Sequence, residues 1–381
     1  MGRNAVTQRL GYEEHTGGHG LRDTPGVHPD ARRGRGALSN AVGRYEREHR
    51  LADDDGWDNL EEPPPPLRTQ MIRDSTRSII ARNTSPDIGF DRSINPYRGC
   101  EHGCTYCFAR PTHAYLGMSP GLDFERKILF KPDAAILLEK ELRAGTYRCR
   151  AMAMGTNTDP YQPAERHYQI TRAVLEVLAR FRHPVGIVTK SALISRDLDI
   201  LAPMAADNLA KAALSITTLD HHLARKMEPR ASTPTRRLQA VRELSAAGIP
   251  TTVMFAPLIP GLNDHELEAV LTASKAAGAT SAGYVLLRLP LEVKDLFQEW
   301  LAAEVPERAS RVMTLIRATR AGKDYDAKWG QRQSGTGPIA EAAADRFRLT
   351  CKRLGLNGER SPLDTSKFKP LALPGDQLTL F

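Results

Sequence analysis

Apolar residues are unevenly spread along this chain. From about residue 68 to residue 290, short β-branched runs alternate with stretches in which apolar residues return every three or four positions. The approach to Asn95, YRCRAMAM (147–154), PVGIVTK (184–190), KAALSITT (211–218), IPTTVMFA (249–256) and SAGYVLLRL (281–289) predict strands. Between them HYQITRAVLEVLARF, RDLDILAPMAA, TRRLQAVRELSAAG and DHELEAVLTASKAAG predict helices. Gly248 and Gly278 close two of these, as suits a helix end that needs a positive φ. Strand and helix in strict alternation imply a parallel sheet with right-handed crossovers. The expected fold class is therefore α/β, a partial (β/α)6 TIM-like barrel over residues 67–290.

Outside that range the pattern changes. Residues 1–66 lack apolar periodicity and end in DNLEEPPPPL, which predicts a disordered N-terminal arm with a polyproline spacer. Nine arginines precede residue 51, so contact with nucleic acid stays open beside a functionless leader. After Pro290 the strands stop, and residues 291–358 predict a helical C-terminal extension covering the barrel, with a loop around WGQRQSGTGP. Residues 359–381 have no helical period and predict an extended tail.

Composition narrows the class only a little. Hydrophobic residues make up 41%, and no run nears the roughly 18 apolar residues that a membrane span needs. The start, MGRNAVTQRLGYEEH, has no apolar core behind its charges, so a cytoplasmic protein with no membrane partner is expected. A net charge of +8 permits nucleic acid as a partner and is also common among other proteins.

The chemistry concentrates in NPYRGCEHGCTYCFARP, where Cys100, Cys104 and Cys107 follow the first predicted strand in C-x3-C-x2-C spacing. Three thiolates on one short loop can hold three corners of an iron–sulfur cube and leave the fourth iron open to substrate. Gly99 and Gly103 let the backbone turn tightly there. The alternative is a structural zinc with His102 or His113 as fourth ligand, although zinc sites more often pair C-x2-C with a distant second pair. Cys149 and Cys351 are lone thiols suited to structural roles.

That spacing, with the aromatic Tyr106 just before the third cysteine, resembles the radical S-adenosylmethionine (SAM) superfamily. The longer run SIIARNTSPDIGFDRSINPYRGCEHGCTYCFARPTHAYLG is similar to the branch related to spore photoproduct lyase, and within it to a large bacterial family. The resemblance covers roughly 68–355 and the tail. It implies two cofactors, a 4Fe-4S cluster and SAM. The open iron would chelate SAM, an electron would cleave its carbon–sulfur bond, and a 5′-deoxyadenosyl radical would take a hydrogen atom from the substrate. A reductant such as flavodoxin or ferredoxin is implied as well.

Carried over position by position, the resemblance gives candidates for the SAM site. Beside Tyr106 it points to the second-strand turn GTNTDPYQPAER, hence Thr156, Asn157, Thr158 and Asp159, although the usual paired glycines and glutamate are missing. An ordinary turn at Asp159-Pro160 is the alternative. Lys190, and after it Ser215, match the lysine and serine that bind the SAM carboxylate in that branch; Ser191 also ends the third strand. Gly261 and Asn263 would shape a turn beneath the adenosine. Asp220 and His221 could be an acid–base couple or a helix cap. Tyr325, Trp329 and Arg332 could stack on bases or pin a helix to the barrel. The branch carries a cysteine in the second-strand turn as hydrogen donor, and this chain has GTNTD there, which puts thymine-dimer reversal by that route in doubt.

The last residues, Gln377, Leu378, Thr379, Leu380 and Phe381, resemble the peptide with which bacterial polymerases and repair proteins bind the sliding clamp. Folding of Leu380 and Phe381 back onto the barrel is the bland alternative. The expectation is a radical SAM enzyme acting on DNA, in repair or modification, and recruited by the clamp. The competing readings are a radical SAM enzyme acting on a protein or small molecule, and a zinc-stabilised, non-catalytic DNA-binding scaffold.

Overall fold

The computed structural model describes residues 27, 29–46, 66–358 and 361–370. Ten strands occur in chain order among them: β1 (Gln70–Arg73), β2 (Ile80–Arg82), β3 (Arg92–Ile94), β4 (Tyr97–Arg98), β5 (Lys127–Phe130), β6 (Met152–Met154), β7 (Val185–Thr189), β8 (Ala210–Ser215), β9 (Thr251–Leu258) and β10 (Ser281–Leu286). The main sheet runs β10-β9-β8-β7-β6-β3-β2. From β3 to β10 every neighbouring pair is parallel, and β2 closes the edge antiparallel to β3. Each new barrel strand is added beside the previous one, and β10 does not pair with β3. The product is the partial barrel that the alternation predicted.

Period-two patterning explains its cross-section. Val185, Ile187, Ala212, Leu214, Val253 and Phe255 are buried and belong to the large core beneath the helices. The alternate positions Gly186, Val188, Ala213 and Met254 are half-buried or exposed, so the other face of the sheet is less closely covered than the helix side. Gly248 and Gly278 adopt φ of +75° and +102° just past the helices Pro234–Ala246 and Leu267–Ala276. Both therefore serve as the left-handed helix ends expected of them.

Several elements differ from expectation. The second barrel strand begins at Met152 rather than Tyr147, because Arg148 and Arg150 point the approach toward water. A small sheet, β1-β5-β4, stands beside the barrel, with β5 parallel to β1 and antiparallel to β4. Within the expected N-terminal arm, residues 29–46 pack onto the barrel: the N–H groups of Gly36 and Ala37 both donate to the buried Glu125 carboxylate at 2.8 Å. The polyproline run lies outside the described residues, except for Pro66 at its end.

The extension folds into helices Val293–Glu304, Pro306–Ala318 and Pro338–Leu354, with the expected loop between the last two. A second apolar core joins Val293, Phe297, Trp300, Val312 and Ile316 to Leu262, Met227, Cys104 and Tyr106. The extension thus walls the cysteine loop. Part of the tail is anchored too: Asp364 N donates to Asn208 O and Lys369 N to Phe181 O, each at 3.0 Å. Phe368 packs against the rings of Tyr147, Phe181 and His183. Among the described residues, no helix is long and apolar enough to cross a membrane.

Candidate iron–sulfur and SAM site

The cysteine loop follows β3 and is shaped by two glycines. Gly99 and Gly103 have φ of +79° and +68°. A Cβ at Gly99 would sit 2.8 Å from both His113 Cε1 and Phe124 O, and one at Gly103 would sit 2.8 Å from a Glu125 carboxylate oxygen. Arg110, wholly buried, fixes the far side of the loop: its Nε donates to Cys104 O at 2.9 Å, one terminal nitrogen reaches Gly121 O at 2.9 Å, and the other pairs with Glu125. The same Glu125 carboxylate holds the N-terminal segment. One buried ion pair therefore ties together three stretches of chain.

Cys100 and Cys104 are buried and Cys107 is half-buried. Burial pushes all three thiols up, Cys100 well above its ordinary value, and the charges of Asp159, Cys104 and Cys107 push Cys100 further. Burial also dominates at Cys104, where Glu228 pushes the thiol higher while Lys190 and Arg237 pull it down. The three cysteines lie within eight residues of one loop, and the charges of Cys104 and Cys107 are among the causes that push Cys100 up. Thiols this reluctant to ionise alone become thiolates when a cation ligates them. The donor set fits a cluster held by three cysteines.

The zinc alternative fares less well. His113 Nε2 lies 3.0 Å from Lys127 O, so that nitrogen is engaged with the backbone. His102 Nδ1 lies 3.3 Å from Asp159. Among the described residues, no three His, Cys, Asp or Glu side chains gather as a single metal ion requires. A cube distributes its thiolates over separate irons and does not need that convergence.

Most of the second-strand turn is engaged with the protein itself. Asn95, at the end of the first barrel strand, accepts Asn157 N at 3.0 Å and pairs with the Thr156 hydroxyl. Thr158 donates to Gly99 O at 2.6 Å, and Gln162 links Thr158 to the N–H of Glu101. Asp159 accepts Tyr161 N at 2.9 Å, the turn weighed as the plain alternative, as well as the Thr189 hydroxyl at 2.7 Å and Lys190 N at 2.8 Å. Burial pushes its carboxyl up, yet His102, Thr189 and Lys190 together hold it down at about 2. Thr158 and Asp159 thus brace the cysteine loop and the end of β7, whereas the Asn157 side chain is exposed.

Lys190 stands beside the cysteine loop. Its ammonium lies 5.7 Å from the centre of the Tyr106 ring, 4.0 Å from Glu228 and 3.4 Å from Ala256 O. Tyr106 is buried, and its hydroxyl donates to Glu228. Ser215 is buried at the end of β8, where its carbonyl accepts Arg237 Nη1 at 2.9 Å. Ser191 instead caps the following turn by accepting Leu193 N. The structure gathers Cys100, Cys104, Cys107, Tyr106, Lys190 and Ser215 at the strand ends, where a barrel places its site. Sequence reasoning missed Asn95, Arg110, Gln162 and Glu228. Arg110, in CFARP, sits close enough to the cysteines to have been noticed.

The remaining candidates resolve as follows. Asn263 is buried and satisfied by Ile259 N, Thr217 O and Pro257 O, and Gly261 turns with φ of +77°. Asp220 caps the helix His221–Met227, and His221 turns to the Thr235 hydroxyl, so the pair is a capping arrangement. Arg332 and Gly330 N both bind Asp87 while Tyr325 packs on the second core, which favours pinning; Trp329 is 54% exposed. Cys149 is half-buried ahead of β6, and Cys351 is buried. Gln377, Leu378, Leu380 and Phe381 lie outside the described residues.

Comparison with known proteins agrees with this geometry. The model of the Radical SAM superfamily matches residues 94–273. An uncharacterized protein of Mycobacterium tuberculosis is 40% identical over 232 residues, 60% of this chain and 68% of that one. One of Methanocaldococcus jannaschii is 27% identical over 174 residues, 45% of this chain and 62% of that one. A solved structure of spore photoproduct lyase complexed with dinucleoside spore photoproduct superposes with a TM-score of 0.53 at 15% identity, over 75% of this chain and 80% of that one.

Proposed function

Because this chain belongs to the radical SAM superfamily, in a group structurally akin to spore photoproduct lyase, we propose that it is a radical SAM enzyme acting on DNA. The observation that carries the catalytic part is the placement of Lys190, at the end of β7, with its ammonium 5.7 Å from the ring of Tyr106 on the loop that carries Cys100, Cys104 and Cys107. Three thiolates would hold a 4Fe-4S cluster, and Lys190 would face the carboxylate of SAM. When bound, these groups supply a 5′-deoxyadenosyl radical by reductive cleavage of SAM. The protein's own part is to orient and to exclude water. Asn95 and Asp159 hold the second-strand turn, and the second apolar core shields the loop from one side. Electrons would come from a small reductant such as flavodoxin or ferredoxin.

Three observations support DNA as substrate: the net charge of +8, a fold neighbour bound to a dinucleoside photoproduct, and the likeness of QLTLF to clamp-binding peptides. The lack of a cysteine in GTNTD argues against the hydrogen donor of that neighbour's branch, so the lesion or base would differ. A cytoplasmic location follows from the same reading. Anaerobic turnover with damaged and undamaged DNA tests it, scored by hydrogen transfer between substrate and SAM, with Cys104→Ala as control. Formation of 5′-deoxyadenosine without transfer to any DNA would favour a protein or small-molecule substrate. Recruitment has its own test: Leu380→Ala with Phe381→Ala abolishes calorimetric binding to the sliding clamp, and a full-length protein without clamp affinity refutes it.

A further inference from the structure

Glu228 is a buried carboxylate that none of the roles above uses. Four side chains converge on it. Tyr106 and Arg237 donate to its two oxygens, the Thr217 hydroxyl donates at 2.6 Å, and the Lys190 ammonium lies 4.0 Å away. These partners come from different places: Tyr106 from the cysteine loop, Lys190 from the end of β7, Thr217 from just beyond β8, and Arg237 from the helix Pro234–Ala246. The neighbouring backbone strengthens the junction. Thr105 N donates to Met227 O and Arg230 N to His102 O, each at 3.2 Å, so the segment 227–230 is laced to the loop on both sides of Glu228. Arg230 adds an ion pair to Glu101 at 3.2 Å.

We propose that Glu228 is a positioning residue of the radical site: it fixes the cysteine loop against the ends of β7 and β8 and sets a negative charge beside the cluster that the loop carries. This rests on the iron–sulfur reading given above. Two cations, Lys190 and Arg237, face this one carboxylate, so Lys190 is restrained from leaving. In a water-poor pocket such a charge is weakly screened. A fixed anion near a cluster disfavours adding an electron to it. Neutralising Glu228 should therefore make reduction easier.

The test uses full-length protein reconstituted with iron and sulfide. Glu228→Gln keeps the shape and an acceptor oxygen, and it is expected to bind as much iron per chain as the wild type while its cluster potential, titrated by electron paramagnetic resonance, moves positive. Thr217→Val removes one hydrogen bond without removing the charge and should leave the potential in place. An unmoved potential in Glu228→Gln at full iron content overturns the proposal. If Glu228→Gln holds no iron, the charge-balanced Glu228→Gln, Lys190→Met variant decides: recovered iron supports the electrostatic role, and continued absence reduces Glu228 to a packing element and overturns it. Wild-type protein that binds no iron would instead refute the underlying reading.

Discussion

Gly155 and Val188 meet where the second and third barrel strands end: a Cβ on residue 155 would lie 2.1 Å from the Val188 carbonyl oxygen. Gly155 also holds φ at +93°, a region that side-chain-bearing residues avoid. The turn that follows β6 is thus pressed against β7 by the absence of a methyl group. Gly155→Ala combines backbone strain with overpacking and should cost about 3 kcal/mol. Urea unfolding of the variant measures this, and a change below about 0.5 kcal/mol would mean the turn relaxes freely.

Glu125 and Arg110 predict a second loss. Both are wholly buried, and Glu125 also receives the N–H groups of Gly36 and Ala37. Glu125→Ala leaves a buried guanidinium without its counterion and should destabilise by about 3–5 kcal/mol. It should also loosen residues 29–46 from the cysteine loop, because a Cβ on Gly36 would lie only 1.8 Å from Gly103 O. Hydrogen exchange at residues 36 and 37 reports on this, and unchanged protection there would contradict it.

Asn95→Ala should reach the proposed SAM site without touching the cysteines. Its side-chain oxygen accepts Asn157 N at 3.0 Å, and its amide pairs with the Thr156 hydroxyl. Losing these frees the second-strand turn at a cost of about 1–2 kcal/mol, which corresponds to roughly tenfold weaker SAM binding if the whole cost falls on the bound state. Equilibrium binding to the reconstituted protein gives the answer. Equal affinity in variant and wild type would remove that turn from the site.

Acid should destabilise the fold in two separate windows. Burial is the largest cause holding both His113 and His183 down at about 4. Their unfolded forms bind protons near pH 6.5, so stability is complete above about 6.5 and falls as pH drops toward about 4, by about 3 kcal/mol for each. Asp159 and Glu228 lie at about 2 in the fold even though burial pushes them up. Their stabilisation persists above the unfolded carboxylate value of about 4 and is lost only as pH falls further toward about 2. Urea midpoints measured from neutral pH downward separate the windows, and a flat profile between about 6.5 and 4 would show that the histidines are not buried neutral.

What could be read in the sequence follows the range of the forces involved. Cys100, Cys104 and Cys107 were legible because the proposed ligation requires one residue type at a fixed local spacing. Strands β7 to β9 were legible because burial on the helix side imposes alternation. Glu228 was not, because it meets Tyr106 across 122 positions and no local pattern marks the partnership. Residues 29–46 form no helix or strand, and their tie to Glu125 runs through the backbone N–H groups of Gly36 and Ala37, which no side-chain pattern marks. Strands β1, β4 and β5 span two to four residues each, too short to carry a period. In the second-strand turn, Thr158 donates to Gly99 O across 59 positions and Asp159 accepts the Thr189 hydroxyl across 30, contacts that no local pattern marks.

The anchoring of residues 361–370 has a geometric consequence. Asn208, Phe181 and His183, which receive this segment, stand just before β8 and β7, whereas Lys190 and Ser215 stand at the opposite ends of those strands. The described end of this segment, residue 370, therefore lies at the back of the barrel, away from the mouth. A partner that grasped it there would hold the molecule by its rear and leave the reactive opening facing outward. Contact at that end and chemistry at the mouth would then occupy separate faces of the barrel.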